Sequence, residues 1–167
     1  MNTLIFRSGK TFRRAVNHKI LLSKLENYGI RGTQLKWFTS YLDRRQQCVE
    51  NNGKRSTLKS IQYGVPQGSN LGPLLFLLYI NDLPNVSNHL FFILFADDTN
   101  VFYSHNCINT LFQIVNVELN LIAEWFQANR LSLNLEKTNY ILFRSHKKSI
   151  PPAQHWCNSS NCIHLTN

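Results

Sequence analysis

Apolar residues recur every three or four positions over some stretches of the chain and alternate or run together over others, and these two habits mark out its elements. Ile20, Leu21, Leu25 and Tyr28 share one helical face over residues 18–29, and Gly29 supplies the stop. A second helix is expected over residues 33–43, burying Leu35, Phe38, Tyr41 and Leu42. Residues 46–50 and 56–62 flank Asn51-Asn52-Gly53, a turn sequence because Asn and Gly tolerate positive φ, so a hairpin is expected there. Residues 71–83 are long enough for a helix, with Ser69 or Asn70 as N-cap and Pro73 in the first turn, where a missing N–H costs little. Residues 90–95 and 100–103 read as strands around a polar Asp97-Asp98-Thr99 tip. Ile108, Leu111, Val115, Leu119, Ile122 and Trp125 then mark a long helix with one buried face, ended by Asn129-Arg130, and residues 138–143 resemble a final strand. The pattern predicts an α+β fold, an antiparallel hairpin sheet packed on helices.

At 167 residues the chain can bury one sizeable core, and no repeat divides it. The formal charge of +9 and the pI near 9.7 favour an anionic partner, although a solvated basic surface has the same composition. Apolar runs such as residues 74–80 and 90–96 fall far short of the roughly 20 residues that span a bilayer. With no apolar leader after the basic N-terminal residues, an intracellular protein without a membrane partner is expected. Four scattered cysteines suit reduced thiols better than a disulfide framework. Beyond Arg144, His146-Lys147-Lys148 and Pro151-Pro152 break the pattern, so residues 145–167 are expected to be a disordered tail.

Two features could carry chemistry. Asp97 and Asp98 are adjacent carboxylates that repel each other unless cations or protons offset them. Oxygen-rich anionic sites select Mg²⁺ or Mn²⁺, and paired ions of this kind assist phosphoryl transfer. Asp-Asp-Thr-Asn is equally good turn chemistry, but the apolar segments on either side would set it on a dry hairpin tip. There, strand alternation points one Asp to a cleft and its neighbour away, Asp97 being the better metal ligand and Asp98 the supporting one. Upstream, Gly64-Val65-Pro66-Gln67-Gly68-Ser69 joins a strand to a helix, and its glycines allow a backbone to approach a ligand closely.

Taken in order, Gly64 to Phe76, then Tyr79-Ile80-Asn81-Asp82-Leu83-Pro84, then Phe95-Ala96-Asp97-Asp98-Thr99-Asn100 closely resemble the reverse transcriptases of non-LTR, LINE-like retrotransposons. Val16-Asn17-His18 and Asn129-Arg130-Leu131-Ser132-Leu133-Asn134 with Lys137-Thr138 extend the resemblance to about residues 10–144, after a divergent segment at residues 1–9. The resemblance implies part of a polymerase palm domain and an RNA-directed DNA polymerase ancestry, acting through two-metal nucleotidyl transfer. The partners it implies are an RNA template, a DNA primer and deoxynucleotide triphosphates. It makes Asp97 and Asp98 catalytic and metal-binding residues with Mg²⁺ or Mn²⁺, and Lys137 a catalytic lysine near the incoming triphosphate. Gly64, Pro66, Gln67, Gly68 and Ser69 become the loop that steers template and nucleotide.

One departure decides what this copy does. Family members carry a further metal-binding Asp about five residues before the Phe of a Lys-Ala-Phe-Asp-like stretch, here Lys10-Thr11-Phe12-Arg13. That position falls on Arg7 or Ser8, and the first acidic residue is Glu26. Fingers and thumb are also largely missing from the pattern. A truncated reverse transcriptase domain is therefore expected, inactive alone and with the metals weakly bound or absent. The alternative is a non-catalytic basic module whose Arg13, Arg14, Lys19, Arg44, Arg45, Lys54 and Arg55 contact nucleic-acid phosphates.

Overall fold

The structure is a computed structural model that describes residues 1–8, 16–43, 45–65, 68–96, 98–132, 138–145, 155–158 and 161–164. In chain order its elements are β1 (Asn2–Ser8), α1 (His18–Asn27), α2 (Gly32–Leu42), β2 (Gln46–Gln47), β3 (Glu50–Asn51), β4 (Lys54–Arg55), β5 (Lys59–Ser60) and α3 (Leu71–Ile80). A 3-10 turn (Leu83–Val86) follows, then β6 (Phe91–Phe95), β7 (Asp98–His105), α4 (Ile108–Ala128), β8 (Asn139–Phe143), β9 (His155–Asn158) and β10 (Asn161–His164). Every pairing is antiparallel, which makes this the α+β fold expected from the pattern. The chain forms two compact units, one of Met1–Phe12 with Asn81–Asn167 and the other Arg13–Ile80.

The first unit is built on a four-stranded sheet in the order β6-β7-β1-β8. One of its two inner strands, β1, comes from the segment to which the hydrophobic pattern assigns no element. Leu4 lies opposite Tyr103 and Leu142, and Phe6 opposite Val101 and Tyr140. Leu4, Phe6 and Val101 are buried on the face that α4 covers. From α4 the buried side chains include Leu111, Val115, Leu119 and Ile122 of the stripe the three-and-four spacing predicts, together with Phe112 and Phe126, while Ile108 and Trp125 at the ends of that stripe are only half-buried. Fully burying a side chain of this size is worth about 1.5–3 kcal/mol. Asn2, also buried, donates through Nδ2 to the carbonyls of His105 at 3.1 Å and Asn106 at 3.0 Å, tying the start of β1 to the end of β7.

The second unit packs α1 against α2 and α3 around Val16, Leu21, Leu25, Leu42, Leu75, Phe76 and Tyr79. The Asn17 side chain caps α1, accepting from the backbone N–H of Lys19 at 3.0 Å and of Ile20 at 3.2 Å. The expected hairpin is present as two short pairs, β2 with β5 and β3 with β4, closed at Asn52 (φ 49) and Gly53 (φ 73). The helix expected over residues 71–83 ends earlier, at Ile80. Asn81 and Asp82 form a turn, and Pro84, which has no N–H to offer a continuing helix, sits inside the 3-10 turn. Within the segment expected as a tail, β9 and β10 pair with Cys157 opposite Cys162.

Candidate nucleic-acid and nucleotide site

Alternation along β1 puts Ile5 and Arg7 on the sheet face opposite α4. Ile5 lies between Phe102 and Ile141, and Arg7 lies between Asn100 and Asn139. Asp98, paired with Phe95 at the mouth of the β6–β7 hairpin, belongs to the same face. The Arg7 guanidinium donates from Nη2 to Asp98 Oδ2 at 3.1 Å. At position 7, one of the two where the resemblance places a carboxylate, the side chain reaches the acidic hairpin and carries the opposite charge. Ala96 follows β6 with φ 51, a left-handed conformation that costs a residue with a Cβ about 1 kcal/mol. Asp97 itself lies outside the described residues, as does Lys137.

A divalent cation at this tip needs convergent oxygen donors. Among the described residues no group of three His, Cys, Asp or Glu is placed to hold a metal ion. Beside Asp98, the compensating positive charge already belongs to Arg7. The described residues therefore do not fit Mg²⁺ or Mn²⁺.

In the second unit, the glycine-rich loop is held at both ends. At its start Gly64 donates its N–H to the Val16 carbonyl at 2.7 Å. The Gly64 carbonyl accepts from His18 Nε2 at 2.7 Å, a contact that places the imidazole proton on Nε2. At its end Ser69 Oγ accepts from the Gly72 N–H at 3.0 Å, inside the first turn of α3, and from the Tyr41 hydroxyl at 3.2 Å. Gly64 (φ 88) and Gly68 (φ 80) both adopt left-handed backbone, which explains the glycines without invoking a ligand. Pro66 and Gln67 lie outside the described residues. His18 and Tyr41 are the positioning residues to which sequence reasoning gave no such role. Their partners are 46 and 28 residues away, beyond the reach of any local pattern.

Comparison with known proteins bears directly on this arrangement. The family described as reverse transcriptase (RNA-dependent DNA polymerase) matches residues 10–161. The chain belongs to the reverse transcriptase family. Its relatives include a probable RNA-directed DNA polymerase from transposon X-element of Drosophila melanogaster, 32% identical over 117 residues, covering 68% of this chain and 13% of the relative. The RNA-directed DNA polymerase from mobile element jockey of Drosophila funebris is 29% identical over 119 residues, covering 67% and 13%. A Pol polyprotein from the type-1 retrotransposable element R1 of Bradysia coprophila is 28% identical over 118 residues, covering 70% and 12%. This reverse transcriptase chain is thus related to non-LTR retrotransposon polymerases and spans about an eighth of their length. Among solved structures, apo telomerase from Candida tropicalis superposes with a TM-score of 0.63 at 15% identity, over 88% of this chain and 32% of that one. Telomerase from Candida albicans, in complex with a fragment of telomeric RNA, gives 0.63 at 13% identity over 99% and 29%. These likenesses concern the fold.

Proposed function

We propose that this chain is a reverse transcriptase-like domain that binds nucleic acid but does not extend a primer. The carrying observation is the Arg7–Asp98 ion pair. The family's reaction, as the resemblance implies it, joins a primer 3′-hydroxyl to the α-phosphate of a deoxynucleotide and expels pyrophosphate. That chemistry calls for convergent carboxylates able to concentrate divalent cations on the triphosphate. A guanidinium at position 7 repels such cations and occupies Asp98. Asp97 and Asp98 are then the remnant of the metal site. By the same resemblance Lys137 would serve near the incoming triphosphate, and Gly64, Pro66, Gln67, Gly68 and Ser69 as the loop that steers template and nucleotide.

Binding is supported by the net charge of +9, by the relatives' RNA-directed activity and by the RNA complex of the telomerase neighbour. In this reading the basic residues, Lys19, Arg45, Lys54 and Arg55 among them, contact phosphates, so affinity falls steeply with salt and depends weakly on sequence. The test is a primer-extension assay on RNA and DNA templates with Mg²⁺ or Mn²⁺, run beside a salt titration of binding. No incorporation, together with salt-sensitive binding, is the expected result. Template-dependent incorporation that vanishes in Asp97→Ala overturns the inactive reading.

A further inference from the structure

The charge of the molecule is concentrated in one unit. Arg13–Ile80 holds eleven Lys and Arg against three Asp and Glu, so it carries +8 of the chain's +9. Within this unit, α2 presents an arrangement that core packing does not require. Trp37 and Tyr41, four residues apart on one helical face, stack with ring centroids 5.6 Å apart and planes 8° from parallel. The Arg45 guanidinium carbon lies 5.4 Å from the Tyr41 centroid, and Phe38 meets Trp37 edge-on at 5.1 Å. Trp37 nevertheless remains 53% exposed, and Arg31, Lys36 and Ser40 of the same segment are exposed as well.

A rigid, held indole left open to solvent amid excess positive charge suits a planar, apolar-faced group attached to an anion. Unpaired nucleobases on a phosphate backbone have that chemistry, whereas in a duplex the base faces are buried in the stack. We propose that the Trp37–Tyr41–Arg45 cluster is a stacking site for an unpaired base of single-stranded nucleic acid. The proposal rests on the nucleic-acid reading above and adds the form of the ligand and its contact. Tyr41 also links the cluster to the glycine-rich loop through its hydrogen bond to Ser69, so a strand held at Trp37 lies one side chain from that loop.

The test uses the full chain and fluorescence anisotropy of labelled oligouridine and of a labelled RNA duplex of equal length. Trp37→Ala should weaken oligouridine binding about 5- to 150-fold, the equivalent of roughly 1–3 kcal/mol per stacked base, and leave duplex binding and the salt slope nearly unchanged. Trp37→Phe should retain most of the affinity. In the parent protein with Trp125 and Trp156 replaced by Phe, oligouridine should quench the remaining indole. Salt-dependent binding that Trp37→Ala leaves untouched, or weakens equally for duplex and single strand, overturns the stacking site alone. A dimer that dissociates on Trp37→Ala would overturn it by making this face a contact between copies. No binding of either probe at low salt overturns the nucleic-acid reading itself.

Discussion

Lys24 of α1 donates from its ammonium to the Tyr79 carbonyl at 2.7 Å and lies 5.1 Å from the centroid of the same tyrosine's ring. One cation thereby satisfies a carbonyl in the last turn of α3, where helix carbonyls lack intrahelical donors, and covers the most voluminous fully buried side chain among the described residues. Lys24→Met keeps the stem and removes the charge. We expect a loss of about 1–2 kcal/mol in urea denaturation, and an unchanged midpoint would mean that solvent replaces the contact at no cost.

At the sheet tip the expected energies are smaller, because Arg7 is largely exposed and surface ion pairs contribute less than about 1 kcal/mol. Arg7→Ala should therefore be nearly neutral. Arg7→Asp places a second carboxylate beside Asp98 and should cost about 1–2 kcal/mol in chelator, with part of the loss restored by millimolar Mn²⁺. The parent should show no Mn²⁺ stabilisation; if it does, its acidic tip holds a cation despite Arg7.

Glu118 is the exception on the buried stripe of α4. Its side chain is 8% exposed, Oε2 has no hydrogen-bond partner among the described residues, and Oε1 is 3.8 Å from His89 Nε2. Replacing a half-compensated buried charge with an apolar helix former should leave stability unchanged or raise it. For Glu118→Met a gain of up to about 1–2 kcal/mol is expected by thermal and chemical denaturation. A large loss would show that the His89 contact, not the desolvation, dominates.

Burial raises the Tyr140 phenol above its ordinary value of 10.0. The folded state then keeps a proton that the unfolded chain releases, so the stability is fully present below about pH 10 and declines as pH climbs above it. Tyr140→Phe should flatten that alkaline decline, which denaturation at a series of alkaline pH values would measure.

Much of this architecture was legible because its signals are local. The three-and-four spacing located α1, α2 and α4, and Asn52-Gly53 located its turn, whereas Asp98 and Thr99, expected in the polar tip between the two apolar strands, belong to β7 itself. The strand β7 is longer than its apolar stretch because Thr99, Ser104 and His105 pair with β1 and Asp98 pairs with Phe95 of β6. β1 itself went unassigned because Leu4-Ile5-Phe6 is a short run whose alternation acquires meaning only once α4 covers one face. Trp37 fell outside the face expected to be buried, and its stacking on Tyr41 needed the geometry of the helix surface to be seen. The ordered motifs of the family resemblance reached the polymerase relationship, whereas the Arg7–Asp98 contact spans 91 residues and needed the register of the sheet.

The inner place of β1 also sets the order in which this molecule can assemble. Its partners on the two sides begin at Asp98 and at Asn139, so the strand near the start of the chain has no neighbour until roughly a hundred residues later in the sequence. Closing such long loops comes before any reward from the pairing, which slows folding and prolongs the exposure of Leu4, Ile5 and Phe6. On the ribosome, Arg13–Ile80 can complete its helical core early, while the first unit waits for β8 to emerge. A ribosome that stalls before Asn139 therefore leaves a finished basic unit attached to an unfinished sheet, a state prone to capture by chaperones or by other unpaired strands.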